Sequence, residues 1–484
     1  MSHRQRLTLL AAILGSGVVA IDQTIVSVAL PAIERDLGGG LASQQWVSNA
    51  YLLTLASLIL IGGSLGDLYG ERLAFIVGVA AFGVCSVACA LAPTIGILIA
   101  ARALQGVAAA LLLPSLLGII VGAFTERERG SAIGSYTAWG GIALIIGPLV
   151  GGLIVDQASW RWVFALNVPV VVAALALVVH AIPPSRPANS RGIDVLGALL
   201  CVVGLGGLVF GLIEQPRHGW SSAVIYVPMV VGAASLAVFV AHERRTPHPM
   251  LRADLFGSRN FVVGNVETLA LYGGLSVTFF FLVIFLQQVA GYSPLRAGLS
   301  TLPTTVVTFF LARRFGALAD RFGPRLFVSL GPLIAALGVA LLLRTGLQTS
   351  YFGDLLPGLV VFAVGLSMAL APLTATVMAD ADETDAGSAS AINNAFARMA
   401  GLVGVSVVGA LVATSLSGDT FAPNHESVHA FHQAIVVCAV LVALGGAAGF
   451  FGISNPRRTV SAEECPGGQL CGVPEPAISA TASR

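Results

Sequence analysis

A helix that crosses a bilayer needs about 20 consecutive, mostly apolar residues, and this chain supplies fourteen such stretches in succession. They run near 7–30, 45–66, 73–92, 95–122, 130–155, 162–182, 193–213, 223–242, 260–287, 295–315, 325–344, 354–378, 388–414 and 430–453. Charged residues are only 10% of the 484 residues, and mean hydropathy is +0.88. A soluble domain carries about 25% charged residues, so this surface must face lipid. The fold class that follows is an all-α polytopic membrane protein with 14 transmembrane helices. The first stretch follows Arg4 and Arg6 as a signal peptide would, but Asp22 interrupts its apolar core and further spans continue to the end. Pro114, inside the long fourth stretch, predicts a kink or an early end.

All 25 basic residues are arginines, and their placement tests the count. With the N-terminus inside and each span reversing direction, 18 arginines fall in inner segments. Five (Arg35, Arg161, Arg217, Arg296 and Arg344) fall outside, and Arg102 and Arg398 lie within spans. That is the positive-inside bias. It predicts two cytoplasmic termini, in a multi-pass protein of a bacterial inner membrane. A net charge of +1 argues against a nucleic-acid partner, which needs a basic stripe. No phosphate-cradling Gly-Lys-Ser/Thr loop, catalytic carboxylate pair or metal-spaced His/Cys cluster stands out. The reading is therefore no enzyme, no cofactor and no metal, with His425 and His429, an i, i+4 pair, the weak exception. Cys85, Cys89, Cys201 and Cys438 lie in apolar runs and read as small hydrophobes. Cys465 and Cys471 lie in a Pro/Gly-rich tail, where pairing stays open.

Two segments echo each other. GSLGDLYGER, from Gly63 to Arg72, follows the second span, and GALADRFGPR, from Gly316 to Arg325, follows the tenth. Both fit G-x-L-x-D-x-x-G-x-R, with Asp67 and Asp320, Gly70 and Gly323 in register. Their equivalent places in two blocks of six spans indicate duplication, a transporter architecture. The domain reading is an N-terminal six-helix bundle over 1–182, two extra spans over 183–259, a C-terminal bundle over 260–453 and a disordered cytoplasmic tail over 454–484.

With these motifs the chain resembles the major facilitator superfamily, specifically its fourteen-span drug:proton antiporter branch. The resemblance covers about 7–453. Glu71 and Pro324 depart from the basic residue usual at their positions. Ala20–Pro31 is similar to the branch's first-span motif, Arg102-Ala103-Leu104-Gln105-Gly106 to the fourth-span motif of proton-coupled members, and Gly141–Gly152 to the fifth-span motif of exporters. Trp160–Phe164 and Asn167-Val168-Pro169 also recur in the branch.

A carboxylate in hydrocarbon is a functional hypothesis by default. Asp22 is therefore a candidate proton site, the alternative being a structural Asp near the outer interface. Arg102 cannot release its proton but can tune a neighbouring carboxylate, the alternative being a buried pair fixing two helices. Its face carries Gln105, Gly106, Ala109 and Ala110, a stripe suited to a wet cavity. Glu267 is a second candidate for proton coupling, unless it faces cytoplasmic water. Asn394 and Arg398 are candidate cavity residues. Gly63, Asp67, Gly70, Arg72, Asp320 and Gly323 are expected to act in conformational gating from short loops, where Asp is otherwise an ordinary turn residue. Gly141, Gly147, Pro148, Gly151 and Gly152 read as a closely packed gating helix. Phe279, Phe280, Phe281 and Phe285 read as mixed lipid-facing and packing residues, and Asp380, Asp382, Glu383 and Asp385 as a solvated loop. The resemblance implies a monomer that exchanges protons for small hydrophobic or amphipathic molecules across the lipid bilayer by alternating access. The alternative within the superfamily is an importer of a nutrient or osmolyte.

Overall fold

A computed structural model describes residues 1–183, 194–246, 249–251, 253–379, 386–416 and 420–455. The tail with Cys465 and Cys471 and the acidic segment from Asp380 to Asp385 lie outside these residues. The helices are α1 (His3–Leu37), α2 (Gly40–Tyr69), α3 (Glu71–Ala90), α4 (Ile95–Ala123), α5 (Glu126–Gln157), α6 (Arg161–Ala165), α7 (Asn167–Ala181), α8 (Val195–His218), α9 (Ala223–Glu243), α10 (Arg259–Gln288), α11 (Pro294–Phe322), α12 (Pro324–Leu341), α13 (Leu356–Ala379), α14 (Ala386–Ala413) and α15 (His425–Gly452). The short α6 and α7 form one apolar span, so the described residues hold 14 helical segments long and apolar enough to cross a membrane. Most of them outrun the apolar stretches read from sequence, because a helix keeps its backbone hydrogen bonds as it enters the interface.

α1–α7 form one bundle and α10–α15 a second. α8 and α9 pair with each other. α8 lies against α2 and α14, outside the seam between the bundles, where Trp46 Nε1 donates to Glu214 at 2.8 Å and Leu205 packs near Leu402. Large apolar side chains such as Val84, Leu104 and Phe310 stay exposed, as lipid contact requires.

The two motif segments are helix ends rather than loops. Residues 63–69 continue α2 and residues 316–322 continue α11, so Asp67 and Asp320 sit in final helical turns. Only Gly70 and Gly323 break the helices, at φ 92° and 88°, a conformation that disfavours any side chain. Their N–H groups close the ends onto Gly66 and Ala319 carbonyls, each at 2.8 Å. Pro114 does not end α4, which runs on to Ala123 because neighbouring helices enclose it. α5 likewise continues through Pro148.

The bundles touch most closely at the end opposite Gly70 and Gly323. Gln45 donates to the Val405 carbonyl at 2.8 Å and Asn49 to Ser406 at 2.9 Å, joining α2 to α14. Gln287 donates to the Val28 carbonyl at 2.9 Å and Gln288 to Glu34 at 3.3 Å, joining α10 to α1. These hydrogen bonds across the seam gather on the side of the membrane away from the two motif glycines.

Candidate functional site

α1 carries Asp22 into the middle of the N-terminal bundle, where five helices converge. Arg102 of α4 meets it: Nη1 lies 2.6 Å from Asp22 Oδ2 and 2.7 Å from Gln105 Oε1. The Arg102 Nε donates to the Val47 carbonyl at 3.1 Å, and its guanidinium stacks 4.4 Å from the centre of the Tyr51 ring. The other Asp22 oxygen accepts from Asn167 Nδ2 at 2.9 Å and Gln105 Nε2 at 3.2 Å. Both amides also donate to Ser86 Oγ, at 2.8 and 3.0 Å. Every bond to the Asp22 oxygens thus comes from an N–H donor, and the carboxyl acts purely as an acceptor. Asp22 is 1% exposed and Arg102 2%. Such a pair stands only because hydrogen bonds satisfy what the ion pair leaves over.

Asn167 and Ser86 complete this network and are not among the candidates drawn from sequence. The available signal was Asn167, an amide inside the apolar stretch 162–182; Ser86 gives none, since serines are common in spans. Gln105 and Gly106, expected on a cavity face, are buried instead. Gln105 belongs to the network. Gly106 is where α4 meets α2, and any Cβ would run into the Tyr51 carbonyl and the Thr54 hydroxyl.

Glu267 of α10 lies in a different setting. It is 0% exposed and packed beside Gly445 and Gly449 of α15, so it does not face water. Neither carboxyl oxygen has a hydrogen-bond partner among the described residues. Phe280, Phe281 and Phe285 of the same helix are buried, Phe285 stacking on Phe431 at 4.2 Å, so packing rather than lipid contact dominates there.

Arg398 of α14 stands at the seam and donates from Nη1 to Gln23 Oε1 at 2.9 Å. Asn394, one turn earlier on the same face, is exposed. α5 fills the seam between α1 and α11. A Cβ on Gly147 would strike Thr24 and one on Gly151 would crowd Ile25. On the adjoining face a Cβ on Gly152 would lie 2.6 Å from Leu295 Cα, and the Pro148 carbonyl abuts Gly298. Gly141 faces Phe309 near the middle of the seam. At the closed end Arg161 pairs with Asp36 at 2.6 Å, and Trp160 Nε1 donates to the same carboxylate at 2.9 Å. A cavity of about 560 Å³ remains there, lined by Pro31, Glu34, Gln287, Gln288 and Phe421 among others.

Near the opposite end the two motif arginines do equivalent work. Arg72 donates to the Val179 carbonyl at 3.3 Å and Arg325 to the Phe450 carbonyl at 2.9 Å, near the C-termini of α7 and α15. Arg4 and Arg259, each at the start of its bundle's first helix, reach Ala181 and Phe451 carbonyls at 2.8 and 2.6 Å. Cations suit helix C-termini, so each bundle pins its last helix in the same way. Asp67 and Asp320 are exposed, with no hydrogen bond or ion pair to a described residue. Gly63 faces Pro114 across the α2–α4 contact. His429 contacts Gln433 at 3.2 Å, and among the described residues no group of three or more His, Cys, Asp or Glu is placed to hold a metal.

The sequence profile of the Major Facilitator Superfamily matches residues 12–405 and 315–469. The chain belongs to this superfamily. It is a multi-pass membrane transporter rather than an enzyme. The multidrug resistance protein Stp of Mycobacterium tuberculosis (strain CDC 1551 / Oshkosh) is 35% identical over 431 residues, 88% of this chain and 79% of that one. The tetracenomycin C resistance and export protein of Streptomyces glaucescens is 33% identical over 419 residues, 86% of this chain and 77% of that one. The crystal structure of a bacterial homologue of the human lysosomal transporter Spinster, inward-facing and unoccupied, superposes with a TM-score of 0.69 at 16% identity, over 93% of this chain and 97% of that one. At that identity the likeness concerns the major facilitator fold alone.

Proposed function

We propose that this transporter exports small hydrophobic or amphipathic compounds, such as drugs, antibiotics or secondary metabolites, in exchange for protons, acting as a monomer. The observation that carries the reading is the Asp22–Arg102 pair, an ionisable couple buried at 2.6 Å inside a transporter. Protonating Asp22 removes its charge, leaves Arg102 uncompensated and weakens the bonds from Gln105 and Asn167. Asp22 takes up or releases the proton, and Arg102 sets how tightly it is held. The names of the relatives, resistance and export proteins, support the outward direction of transport.

With cytoplasmic termini, as the arginine bias favours, the closed end faces outward and this arrangement is inward-open. Asp67 and Asp320, unengaged in this arrangement, then each make contacts between spans that hold the inner end closed, with Gly63, Gly70 and Gly323 giving the helix ends their close approach. The α5 glycines let the outer end shut. Orientation is tested by reporters fused after residues 218 and 250, which should appear outside and inside respectively. Function is tested in everted vesicles with a dye panel and an imposed pH gradient. Uptake driven by the gradient and abolished by a protonophore supports antiport, and accumulation in the opposite direction would show an importer.

A further inference from the structure

At mid-membrane the bundles meet around a cation that no acid among the described residues neutralises. Arg398 is only partly buried, and its hydrogen bond runs across the seam to a neutral amide, Gln23. Among the described residues no carboxylate lies within ion-pair distance of it, whereas Arg102 has Asp22. Tyr51, Tyr136 and Tyr272, from α2, α5 and α10, stand within electrostatic reach of the guanidinium. The Gln23 Nε2 and the Tyr51 hydroxyl are buried near one another, yet neither makes a hydrogen bond of good geometry. A guanidinium fork, an amide N–H₂ and a phenol therefore converge with donors to spare, and the nearest carboxylate, Asp22, is already paired with Arg102. An uncompensated cation within a membrane is costly, and a planar guanidinium binds carboxylates in two-pronged fashion. Tyrosine rings add flat apolar walls with polar tips.

The geometry points to an anchoring subsite for aromatic acids. The exported compound carries a carboxylate or an acidic phenol, whose oxygens bind Arg398 and the Gln23 amide while its rings lie against Tyr136 and Tyr272. This rests on the exporter reading and names its substrate class. It also links the substrate to the proton. Gln23 adjoins Asp22 on α1, and the Tyr51 ring that stacks on Arg102 is also within electrostatic reach of Arg398. An anion that draws Arg398 away from Gln23 acts on the residue next to the proton site.

The test uses purified full-length protein at neutral pH without a gradient. Binding of anthracenecarboxylate, its neutral carboxamide and the cation ethidium is followed by fluorescence anisotropy. The wild type should favour the acid over the carboxamide by about tenfold, the worth of one charge-assisted contact. Arg398→Gln should erase that preference while still binding the carboxamide, and Arg398→Lys should keep part of it. Equal or tighter binding of the carboxamide or ethidium by the wild type, or an undiminished acid preference in Arg398→Gln, overturns the subsite. Should Arg398→Gln fail to fold, the wild-type series still decides, with Gln23→Leu expected to weaken the acid more than the carboxamide. Gradient-driven export is a separate readout. Its absence beside an intact acid preference removes antiport and leaves the subsite standing.

Discussion

Asp22 and Glu267 are equally buried, at 1% and 0% exposed, yet the N-terminal bundle surrounds the first with N–H donors while the C-terminal bundle offers the second none. Burial alone therefore does not set how a carboxyl is held in this molecule; the donors around it do. Duplication makes the contrast sharper. Both bundles pin their last helices with equivalent arginines, Arg4 and Arg72 in one, Arg259 and Arg325 in the other. The scaffold is shared, and among the described residues the buried ion pair is confined to one copy, while in the other Asn393 donates only to the neutral Asn265 and Thr268.

The largest effect that separates the two regions comes from removing one partner of the ion pair. Arg102→Leu should destabilise the protein by about 3–5 kcal/mol, because Asp22 stays buried without its counter-charge. Adding Asp22→Asn should recover much of that loss. Glu267→Gln, by contrast, should shift stability by about 1 kcal/mol or less, since no bond is broken there. Thermal unfolding in detergent reads all three, and a Glu267→Gln loss as large as that of Arg102→Leu would erase the contrast.

Next is the amide to which the sequence reading gave no role. Asn167→Leu removes donors to Asp22 and Ser86 and should cost about 1–3 kcal/mol, moving the pH at which export is half-maximal. An unmoved pH profile would place Asn167 in packing only.

A bulky residue in the α5 seam acts on conformation instead. Gly152→Val would collide with Leu295, so the outer end should no longer shut. Export should fall about tenfold or more, as expected for loss of one of two required states. Cysteine labelling near Gln288 should rise, and unchanged labelling would mean that the contact is not a gate.

The smallest effect on stability belongs to Asp67→Asn. Asp67 is exposed and pairs with no described residue, so the folded arrangement should change by about 0.5 kcal/mol or less. Turnover should nevertheless drop at normal protein levels if Asp67 holds the inner end shut, and full turnover would leave it an ordinary helix-end residue.

The span count was legible because hydrocarbon tolerates so few charges. The pairing of Asp22 with Arg102 was foreseeable beside a bound anion as the other candidate partner of Arg102, since each is a lone charge in its stretch. Other features were not. Whether residues 63–69 end a helix or form a loop depends on Gly70 alone, since Gly66 continues the helix. The stripe from Arg102 to Ala110 is the same whether it faces water or a neighbouring helix, and only the arrangement of α1, α2 and α3 around α4 decides for burial. Glu267 carries no mark of its isolation in the sequence, because the absent donors would have come from distant helices.

The central claim is that the exchanged proton binds at Asp22, and Asp22→Asn in proteoliposomes tests it most directly. With an imposed pH gradient the wild type should concentrate substrate and move protons the other way, as an internal pH dye reports. Asp22→Asn should do neither, while its downhill substrate exchange without a gradient persists. If the variant still concentrates substrate against its gradient, the proton binds elsewhere, with Glu267 the leading alternative, and the account of the Asp22–Arg102 network as the coupling site is wrong.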